Sequence, residues 1–254
     1  MNPVTVRNIK IGEGIPKICV PVTGVTKEEI INEAETVRSL AQADLVEWRA
    51  DWYEHVTDTG KAVGMLKDLR AVLKDLPVLF TFRTAKEGGE KEIDPQAYAD
   101  LNKEAARCGY ADLVDVELFT GDAAVKEIVQ AAHACGVKAV ASNHDFNKTP
   151  DKDEMIKRLC KMQELGADIL KIAVMPQSRK DVLTLLAATE EMYRKHADRP
   201  LITMSMGGTG VISRVCGEVF GSAVTFGAAK KASAPGQMNV EDLAQVLLQL
   251  HKNL

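Results

Sequence analysis

The sequence predicts an α/β fold, a single-domain (β/α)8 TIM barrel spanning residues 1–254. Eight short β-rich runs follow one another along the chain, and a turn and a helix-like segment follow each of them. No linker or low-complexity tract interrupts the series, which favours one domain over two. The eight runs are Lys17 to Val22, Asp44 to Ala50, Val78 to Arg83, Asp112 to Leu118, Lys138 to His144, Ile169 to Met175, Leu201 to Met206 and Ala223 to Ala228.

The segments between these runs carry helix start signals. They are Thr26 before Lys-Glu-Glu, Asp94 before Pro95, Thr149 before Pro150, and Asn239 before Val-Glu-Asp. Short polar side chains cap free amides at a helix N-terminus, and proline is tolerated in the first turn. Apolar residues follow at three- and four-residue spacing, so each segment is predicted to be an amphipathic helix.

An open, doubly wound sheet is the main alternative fold. That fold favours a G-x-G-x-x-G fingerprint after its first strand, whereas the first run here ends in Val-Pro-Val-Thr-Gly24. Ahead of the first run, residues Thr5 to Ile11 alternate in polarity and Gly-Glu-Gly follows them. The barrel is therefore favoured, with an N-terminal β-hairpin that closes its floor.

Composition restricts the class of partner. The chain is 46% hydrophobic and 27% charged with a net charge of −4, and it has no Lys/Arg stripe. These values are typical of a soluble protein and argue against a nucleic-acid surface. No apolar stretch is long enough for a membrane span, and the N-terminus lacks a signal-peptide core. The five cysteines form no C-x-x-C pair and no metal-ligand spacing, so we expect a cytoplasmic protein that binds a small molecule.

Lys171 interrupts the apolar run from Ala167 to Met175. Burial disfavours an ammonium ion, and the neutral amine that results can attack a carbonyl group. The bland alternatives are a lysine that extends to solvent or one that is paired with a carboxylate, and this segment alone leaves both open. If the amine is unpaired, the variant Lys171→Met should fold at least as well as the wild type.

Ionisable residues collect where barrel enzymes place their chemistry, at the C-terminal ends of the strands. They are Glu47, Arg49, Arg83, Asp115, Glu117, His144 and Lys171. A structural belt of ion pairs is the alternative explanation for several of them. It does not explain His144, which ends the strand before that of Lys171, while the other four histidines lie in helix-like or loop positions. We therefore expect His144 to transfer protons beside the lysine.

Three glycine-containing segments are predicted to form the mouth of the barrel. Lys86 to Glu90 and Ser233 to Gln237 could close over a ligand. Met206 to Gly210 leads into the segment that ends at Arg214, and it predicts an anion site. The planar guanidinium of Arg214 matches a carboxylate group.

The sequence resembles type I 3-dehydroquinate dehydratases from end to end. The resemblance rests on the motifs Glu47-Trp-Arg49, Phe80-Thr-Phe-Arg83, Glu87-Gly-Gly-Glu90, Glu117-Leu-Phe119, Ser142-Asn-His-Asp-Phe146, Lys171-Ile-Ala-Val-Met-Pro-Gln177, Ile212-Ser-Arg214, Phe226-Gly-Ala228 and Ser233-Ala-Pro-Gly-Gln237. It implies dehydration of 3-dehydroquinate to 3-dehydroshikimate in the shikimate pathway, which leads to aromatic amino acids. It also implies a homodimer, with no metal and no organic cofactor.

The resemblance also implies roles for individual residues. Lys171 matches the lysine that forms an imine with the substrate ketone. His144 matches the general acid and base, and Glu87 matches the carboxylate that orients this histidine. Arg214 matches the residue that pairs with the substrate carboxylate. The other predicted substrate-binding residues are Glu47, Trp48, Arg49, Arg83, Ser233 and Gln237.

Two other functions fit the residues. A class I aldolase would use a lysine on the same strand for a different imine reaction. A barrel without catalytic activity would bind a small carboxylate through Arg214 and Arg83, with Lys171 held only in a salt bridge.

Overall fold

The computed structural model describes residues 2–229 and 233–254. Its strands are β1 Val4–Val6, β2 Ile9–Ile11, β3 Lys17–Val22, β4 Leu45–Arg49, β5 Val78–Thr81, β6 Leu113–Glu117, β7 Lys138–Asp145, β8 Ile169–Val174, β9 Leu201–Ser205, β10 Val224–Ala228 and β11 Met238–Asn239. Its helices are α1 Lys27–Ser39, α2 Thr59–Leu73, α3 Pro95–Arg107, α4 Asp122–Ala134, α5 Lys152–Glu164, α6 Arg179–Glu191, α7 Ile212–Val215, α8 Gly217–Phe220 and α9 Val240–His251.

Strands β3 to β10 form the wall of a parallel barrel. They are hydrogen-bonded in the order β10-β3-β4-β5-β6-β7-β8-β9, and β11 extends the sheet beside β10. The seam between β9 and β10 is closed by one parallel bridge between Leu201 and Ser222, where the Ala223 amide donates to the Leu201 carbonyl at 2.7 Å. The predicted (β/α)8 fold is confirmed, and all eight predicted runs contain a barrel strand.

Three of the four predicted helix starts are N-caps. Thr26 forms a capping box with Glu29, Asp94 caps α3 ahead of Pro95, and Asn239 caps α9. The fourth is displaced, because α5 begins at Lys152 with Asp151 as its N-cap. The hydroxyl of Thr149 donates instead to the carbonyl of Met175 at 3.1 Å, which ties this segment to the end of β8.

An apolar layer fills the lower half of the barrel. It contains one inward-facing residue from each of six successive strands: Cys19, Leu45, Leu79, Leu113, Val140 and Ile169. The antiparallel hairpin β1–β2 packs Val6 and Ile11, which are 3% and 0% exposed, into the same cluster. The hairpin thus closes the barrel floor, as predicted.

Strand alternation determines what lies above this layer. Because side chains point inward at every second residue, Glu47, Asp115 and Lys171 face the interior two positions after Leu45, Leu113 and Ile169. Residues of the opposite parity pack between the strands and the surrounding helices in a second core. Within the described residues, no helix is both long and apolar enough to cross a bilayer.

Candidate active site

A cavity of about 460 Å³, open to solvent, lies at the C-terminal ends of the barrel strands. It is lined by Glu47, Arg49, Arg83, Glu87, Gly88, His144, Phe146, Lys171, Ala173, Met204, Met206, Phe226, Ser233, Ala234 and Gln237. Eight of the ten predicted site residues are in this set, and the two that are not are Trp48 and Arg214.

Lys171 lies at the bottom of the cavity and is 3% exposed. Its Nζ is 3.3 Å from Oε1 of Glu47 and 3.5 Å from Oδ2 of Asp115. The same nitrogen lies 4.5 Å from the centroid of the Phe226 ring, a cation–π geometry. The amine is therefore paired with carboxylates in the ligand-free site, which is one of the alternatives that the sequence leaves open.

Arg83 connects the carboxylates on one side of the lysine. Its Nη2 donates to Asp115 at 2.8 Å, and its Nη1 donates to Glu117 at 2.9 Å and to the hydroxyl of Ser142 at 3.0 Å. Ser142 in turn donates to Asp115 at 2.6 Å. Burial alone would raise the pKa of Asp115, but the charges of Arg83 and Lys171 outweigh it and hold that pKa below its usual value.

Arg49 lies on the rim of the same layer, where Asp51 fixes its guanidinium. Nε and Nη2 of Arg49 donate to the two carboxylate oxygens of Asp51 at 2.8 and 2.7 Å. This paired arrangement leaves little freedom in the side chain. Asp51 is 0% exposed and also accepts the backbone amides of Arg83 and Glu90, so it joins the ends of β4 and β5.

His144 and Glu87 form a pair at the side of the cavity. Oε2 of Glu87 accepts the backbone N–H of His144 at 2.8 Å and lies 3.0 Å from its Nδ1. Burial raises the pKa of Glu87 to about 7. Burial, followed by the positive charges of Arg83, Lys171 and Arg49, lowers the pKa of His144 well below its usual value. The pair is therefore suited to exchanging a proton near neutral pH.

The segment from Lys86 to Glu90 lies at the mouth of the cavity and is closely packed. Gly88 has φ +83°, and a Cβ at this position would lie 2.3 Å from the ring of Phe146. A Cβ on Gly89 would lie 1.9 Å from the carbonyl oxygen of Arg83. These two glycines allow the loop to approach β5 and β7 closely, which places Glu87 beside His144.

Arg214 is 1% exposed and has few partners. Its Nη2 donates to the carbonyl of Pro235 at 3.0 Å, and its Nη1 lies 3.7 Å from the sulfur of Met204. Among the described residues, its Nε has no hydrogen-bond partner. Burial lowers its pKa to about 10. The preceding glycine segment leads into α7, which has only four residues. So short a helix carries little dipole, and the side chain of Arg214 is the feature that favours an anion.

Ser233 and Gln237 are joined to each other beside the cavity. The Ser233 amide donates to Oε1 of Gln237 at 2.9 Å, and Nε2 of Gln237 donates to the Ser233 hydroxyl at 3.0 Å. This segment contacts the loop after β9, because the Gly207 amide donates to the Pro235 carbonyl at 3.1 Å. Gly236 has φ +79°, and a Cβ there would lie 2.4 Å from the Gly207 oxygen.

Trp48 does not fit the substrate contact predicted for it. Its side chain has the opposite parity to Glu47 and Arg49, is 0% exposed and belongs to the core between strands and helices. Its ring centroid lies 5.6 Å from that of Phe80 and 6.0 Å from that of Tyr53. Trp48 therefore supports the strand that carries the two charged neighbours, and strand parity alone identifies this arrangement.

The predicted site lacks several residues that the structure places in it. Asp115, Ser142 and Asp51 hold the charged side chains, while Phe226, Met204, Met206 and Phe146 supply the apolar wall. Inward parity on β6 and β7 identifies Asp115 and Ser142, whereas the apolar residues carry no chemical signal in the sequence. In the described ranges, no group of three or more His, Cys, Asp or Glu side chains is arranged to hold a metal ion.

Comparison with known proteins identifies the family. The type I 3-dehydroquinase family model matches residues 18–254. A 3-dehydroquinate dehydratase of Clostridioides difficile (strain 630) is 57% identical over 251 residues, which cover 99% of this chain and 98% of that protein.

Two solved structures share the fold over nearly their whole length. A type I 3-dehydroquinate dehydratase from Clostridium difficile, solved with covalently modified comenic acid, superposes with a TM-score of 0.96 at 56% identity and covers 100% of this chain and 99% of its own. The 3-dehydroquinate dehydratase of Geobacillus kaustophilus HTA426 gives a TM-score of 0.95 at 40% identity, covering 99% and 97%. The chain belongs to the type I 3-dehydroquinase family.

Proposed function

We propose that this chain dehydrates 3-dehydroquinate to 3-dehydroshikimate through an imine between Lys171 and the ketone of the substrate. One observation carries the proposal: a buried amine and a histidine–carboxylate pair line the same small cavity. Covalent catalysis by lysine needs such an amine, and the elimination of water needs a group that transfers protons near neutral pH.

Formation of the imine begins at Nζ of Lys171. The ammonium first gives up a proton, and Glu47 and Asp115 are carboxylate acceptors at 3.3 and 3.5 Å. The amine then adds to the ketone carbon. The oxygen takes up two of the three protons of the original ammonium, passed on through neighbouring acid and base groups, and leaves as water. The resulting iminium cation lies against the Phe226 ring, where a positive charge is favoured.

Loss of water from the ring follows in two steps. His144 accepts a proton from the carbon next to the iminium, and the electron pair of that C–H bond forms an enamine. The histidine then donates its proton to the departing hydroxyl group, which leaves as water while the enamine electrons form the new double bond. Hydrolysis of the imine releases the product and restores Lys171. Glu87 stabilises the charged histidine between these steps, because its carboxylate lies 3.0 Å from Nδ1.

The remaining site residues hold the substrate in this proposal. Arg214 pairs with the substrate carboxylate, because within residues 2–229 and 233–254 its buried guanidinium has an unpartnered Nε and no hydrogen bond to a carboxylate. Glu47, Arg49, Arg83, Ser233 and Gln237 line the cavity and offer hydrogen bonds to ring hydroxyls. Membership of the family favours this reaction over the aldolase and binding-only alternatives.

A turnover assay tests the proposed reaction. The purified protein should convert 3-dehydroquinate to a product with the ultraviolet absorbance of a conjugated enone, and Lys171→Ala should reduce the rate to background. Lys161→Ala is the matched control, because Lys161 is a partly exposed lysine that pairs with Asp122 and does not line the cavity, so its loss should leave the rate unchanged. Turnover of a phosphorylated ketose but not of 3-dehydroquinate would favour an aldolase. Ligand binding without turnover would favour the binding-only barrel.

We also propose that the enzyme is a cytoplasmic homodimer, in line with the resemblance in sequence. Apolar side chains on consecutive short helices are consistent with a subunit contact, since Ile212 and Val219 are 50% and 53% exposed. Light scattering of the purified protein should give twice the mass of one chain. A monomer mass at micromolar concentration would contradict the dimer.

A further inference from the structure

Asn143 links the catalytic pair to a charged residue on the outside of the barrel. Its Oδ1 accepts a hydrogen bond from Nη1 of Arg158 at 2.9 Å, and its Nδ2 donates to Oε1 of Glu87 at 3.2 Å. Asn143 is 2% exposed and has the opposite strand parity to His144. Its side chain therefore connects α5 to the loop that carries Glu87.

Arg158 fixes which end of the amide faces Glu87. A guanidinium group only donates hydrogen bonds, so it selects the oxygen of Asn143 and turns the NH2 group toward Glu87. Arg158 is itself held on two further sides. Its Nε donates to Glu154 at 2.8 Å, and its guanidinium lies 5.2 Å from the centroid of the Phe119 ring.

The orientation of the amide determines the donors that Glu87 meets. Oε1 accepts from Asn143, and Oε2 accepts the backbone N–H of His144. These two donors stabilise the carboxylate and offset part of the rise that burial causes in the pKa of Glu87. Other charged groups also bear on this pair: Arg83 lies 3.7 Å from Glu87, Glu117 acts on Glu87, and Lys171, Arg83 and Arg49 act on His144.

An ionised Glu87 sets the tautomer of the neutral histidine. A carboxylate next to Nδ1 requires a proton on that nitrogen, and Nε2 is then left with a free lone pair. If the pair takes up one more proton from solvent and Glu87 holds it, the carboxylic acid donates to Nδ1, and the single hydrogen of the neutral imidazole then lies on Nε2. In that form the histidine has no lone pair to offer a substrate in the cavity.

We propose that Asn143, oriented by Arg158, is a positioning residue that keeps Glu87 ionised and His144 in the Nδ1–H tautomer, with Nε2 free to accept a proton. The inference rests on the proposed function for the role of His144. The hydrogen-bond chain from Arg158 through Asn143 and Glu87 to His144 can also be tested in the ligand-free protein.

Nuclear magnetic resonance of ¹⁵N-histidine-labelled protein tests the tautomer directly. In the wild type, His144, assigned by comparison with His144→Ala, should show an Nδ1–H signal and a bare Nε2 at pH 8. In Asn143→Leu the Nε2–H form should gain population, and protonation of the pair should move to higher pH by about one unit, because a hydrogen bond to a charged group is lost. An unchanged tautomer and an unchanged titration would overturn the proposal.

The kcat, KM and pH profile of Asn143→Leu give a second test, because a loss of stability alone would not produce the changes expected in them. Asn143→Leu should lower kcat by about 10- to 100-fold, part of what general acid–base catalysis contributes, with less than about a threefold change in KM. The acidic limb of kcat/KM should move upward in pH along with the titration. A rise in KM with unchanged kcat would mean that Asn143 only supports binding, which would contradict the proposal.

Variants of Arg158 cover the possibility that Asn143→Leu does not fold. Arg158→Ala leaves the Asn143 amide free to turn and should give a smaller shift in the same direction, while Arg158→Lys keeps a donor and should recover much of the wild-type profile. Lys161→Ala removes a different ion pair of α5, the one with Asp122. This variant should change neither the tautomer of His144 nor the acidic limb of kcat/KM. If the wild type lacks dehydratase activity, the proposed function fails, and the resonance experiment still decides the role of Asn143.

Discussion

At the scale of single residues, the environment of Lys171 changes one expectation drawn from the sequence. An unpaired buried amine implies that Lys171→Met folds at least as well as the wild type, but Nζ is paired with Glu47 and Asp115. In a variant without the lysine, Asp115 would still accept hydrogen bonds from Arg83 and Ser142. Glu47 would still accept a hydrogen bond from Thr81. Such pairing depends on β4 and β6, distant in sequence from β8, and the apolar run around Lys171 does not reveal it.

We therefore expect Lys171→Met to be both inactive and less stable. Breaking a buried ion pair from one side typically costs about 3 to 5 kcal/mol, because the other charge stays buried. Urea unfolding should show a loss in that range, and the double variant Lys171→Met/Glu47→Gln should recover most of it. Wild-type stability in the single variant would contradict the pairing.

The Glu87–His144 pair predicts the pH dependence of activity. Burial raises the pKa of Glu87 to about 7 and lowers that of His144, so the pair gains its first proton as the pH falls through about 7. A protonated pair cannot accept a proton from the substrate. The value of kcat/KM should therefore be highest above pH 7 and fall below it, with the melting temperature followed over the same range as a control. A flat profile from pH 5 to 9 would contradict this role.

Strand parity separates what the sequence predicts at this scale from what it does not. It places Glu47 and Arg49 inside the barrel and Trp48 outside, and the structure agrees with that division. The partners of Arg214 depend on the approach of a loop that carries Pro235. That contact joins residues 21 positions apart in irregular segments, and no periodic pattern encodes it.

At the scale of elements, regular segments are predicted well and loop geometry is predicted poorly. Repeated apolar runs and capping residues locate the strands and most helix starts, because both signals are local. The glycines of the mouth are different. In the structure, Gly88 allows close contact with the ring of Phe146, and Gly89 allows close contact with the backbone of Arg83. The glycines in the sequence do not reveal which residues they contact.

The segment from Ser233 to Gln237 provides a prediction at this scale. Gly236→Ala introduces a Cβ 2.4 Å from the Gly207 oxygen at a positive φ, so the segment should move away from the cavity. A loss of about 1.4 kcal/mol in substrate binding corresponds to a tenfold rise in KM. We expect a rise of about that size with little change in the melting temperature.

Gly208→Ala is the matched control for this variant. A Cβ on Gly208 would have no atom of the described residues within 4 Å, and Gly208 directly follows Gly207, which Gly236 contacts. Its KM should stay at the wild-type value. Equal KM values for the two alanine variants would show that the position of this segment does not affect substrate binding.

At the scale of the whole molecule, the seam between β9 and β10 closes the barrel. Beside the bridge at Leu201, the Thr203 amide donates to the hydroxyl of Ser222 at 3.0 Å. We propose that residues 1–254 form one domain, since all eight barrel strands share one sheet and one interior. The alternation of strands and helices predicts a barrel, but it does not predict the side-chain contact at the seam.

Ser222→Ala should weaken the seam. The amide of Thr203, a residue that is 4% exposed, would lose its acceptor, and a buried unsatisfied group costs about 1 to 3 kcal/mol. Urea unfolding should remain one cooperative transition at a lower midpoint, and hydrogen exchange at Thr203 should accelerate. Thr225→Val is the control, because the buried hydroxyl of Thr225 has no hydrogen-bond partner in the part of the chain that the structure describes, and its removal should cost little. Equal stability of Ser222→Ala and the wild type would contradict this account of closure.

The central claim is that Lys171 forms an imine during turnover, and trapping that intermediate tests it most directly. Borohydride added to the enzyme with 3-dehydroquinate should reduce the imine to a stable amine, visible as an added mass that peptide mapping assigns to Lys171. Lys171→Ala should show no adduct under the same conditions. An unmodified intact mass for a wild-type enzyme that is turning over its substrate, or an adduct at another residue, would contradict the account.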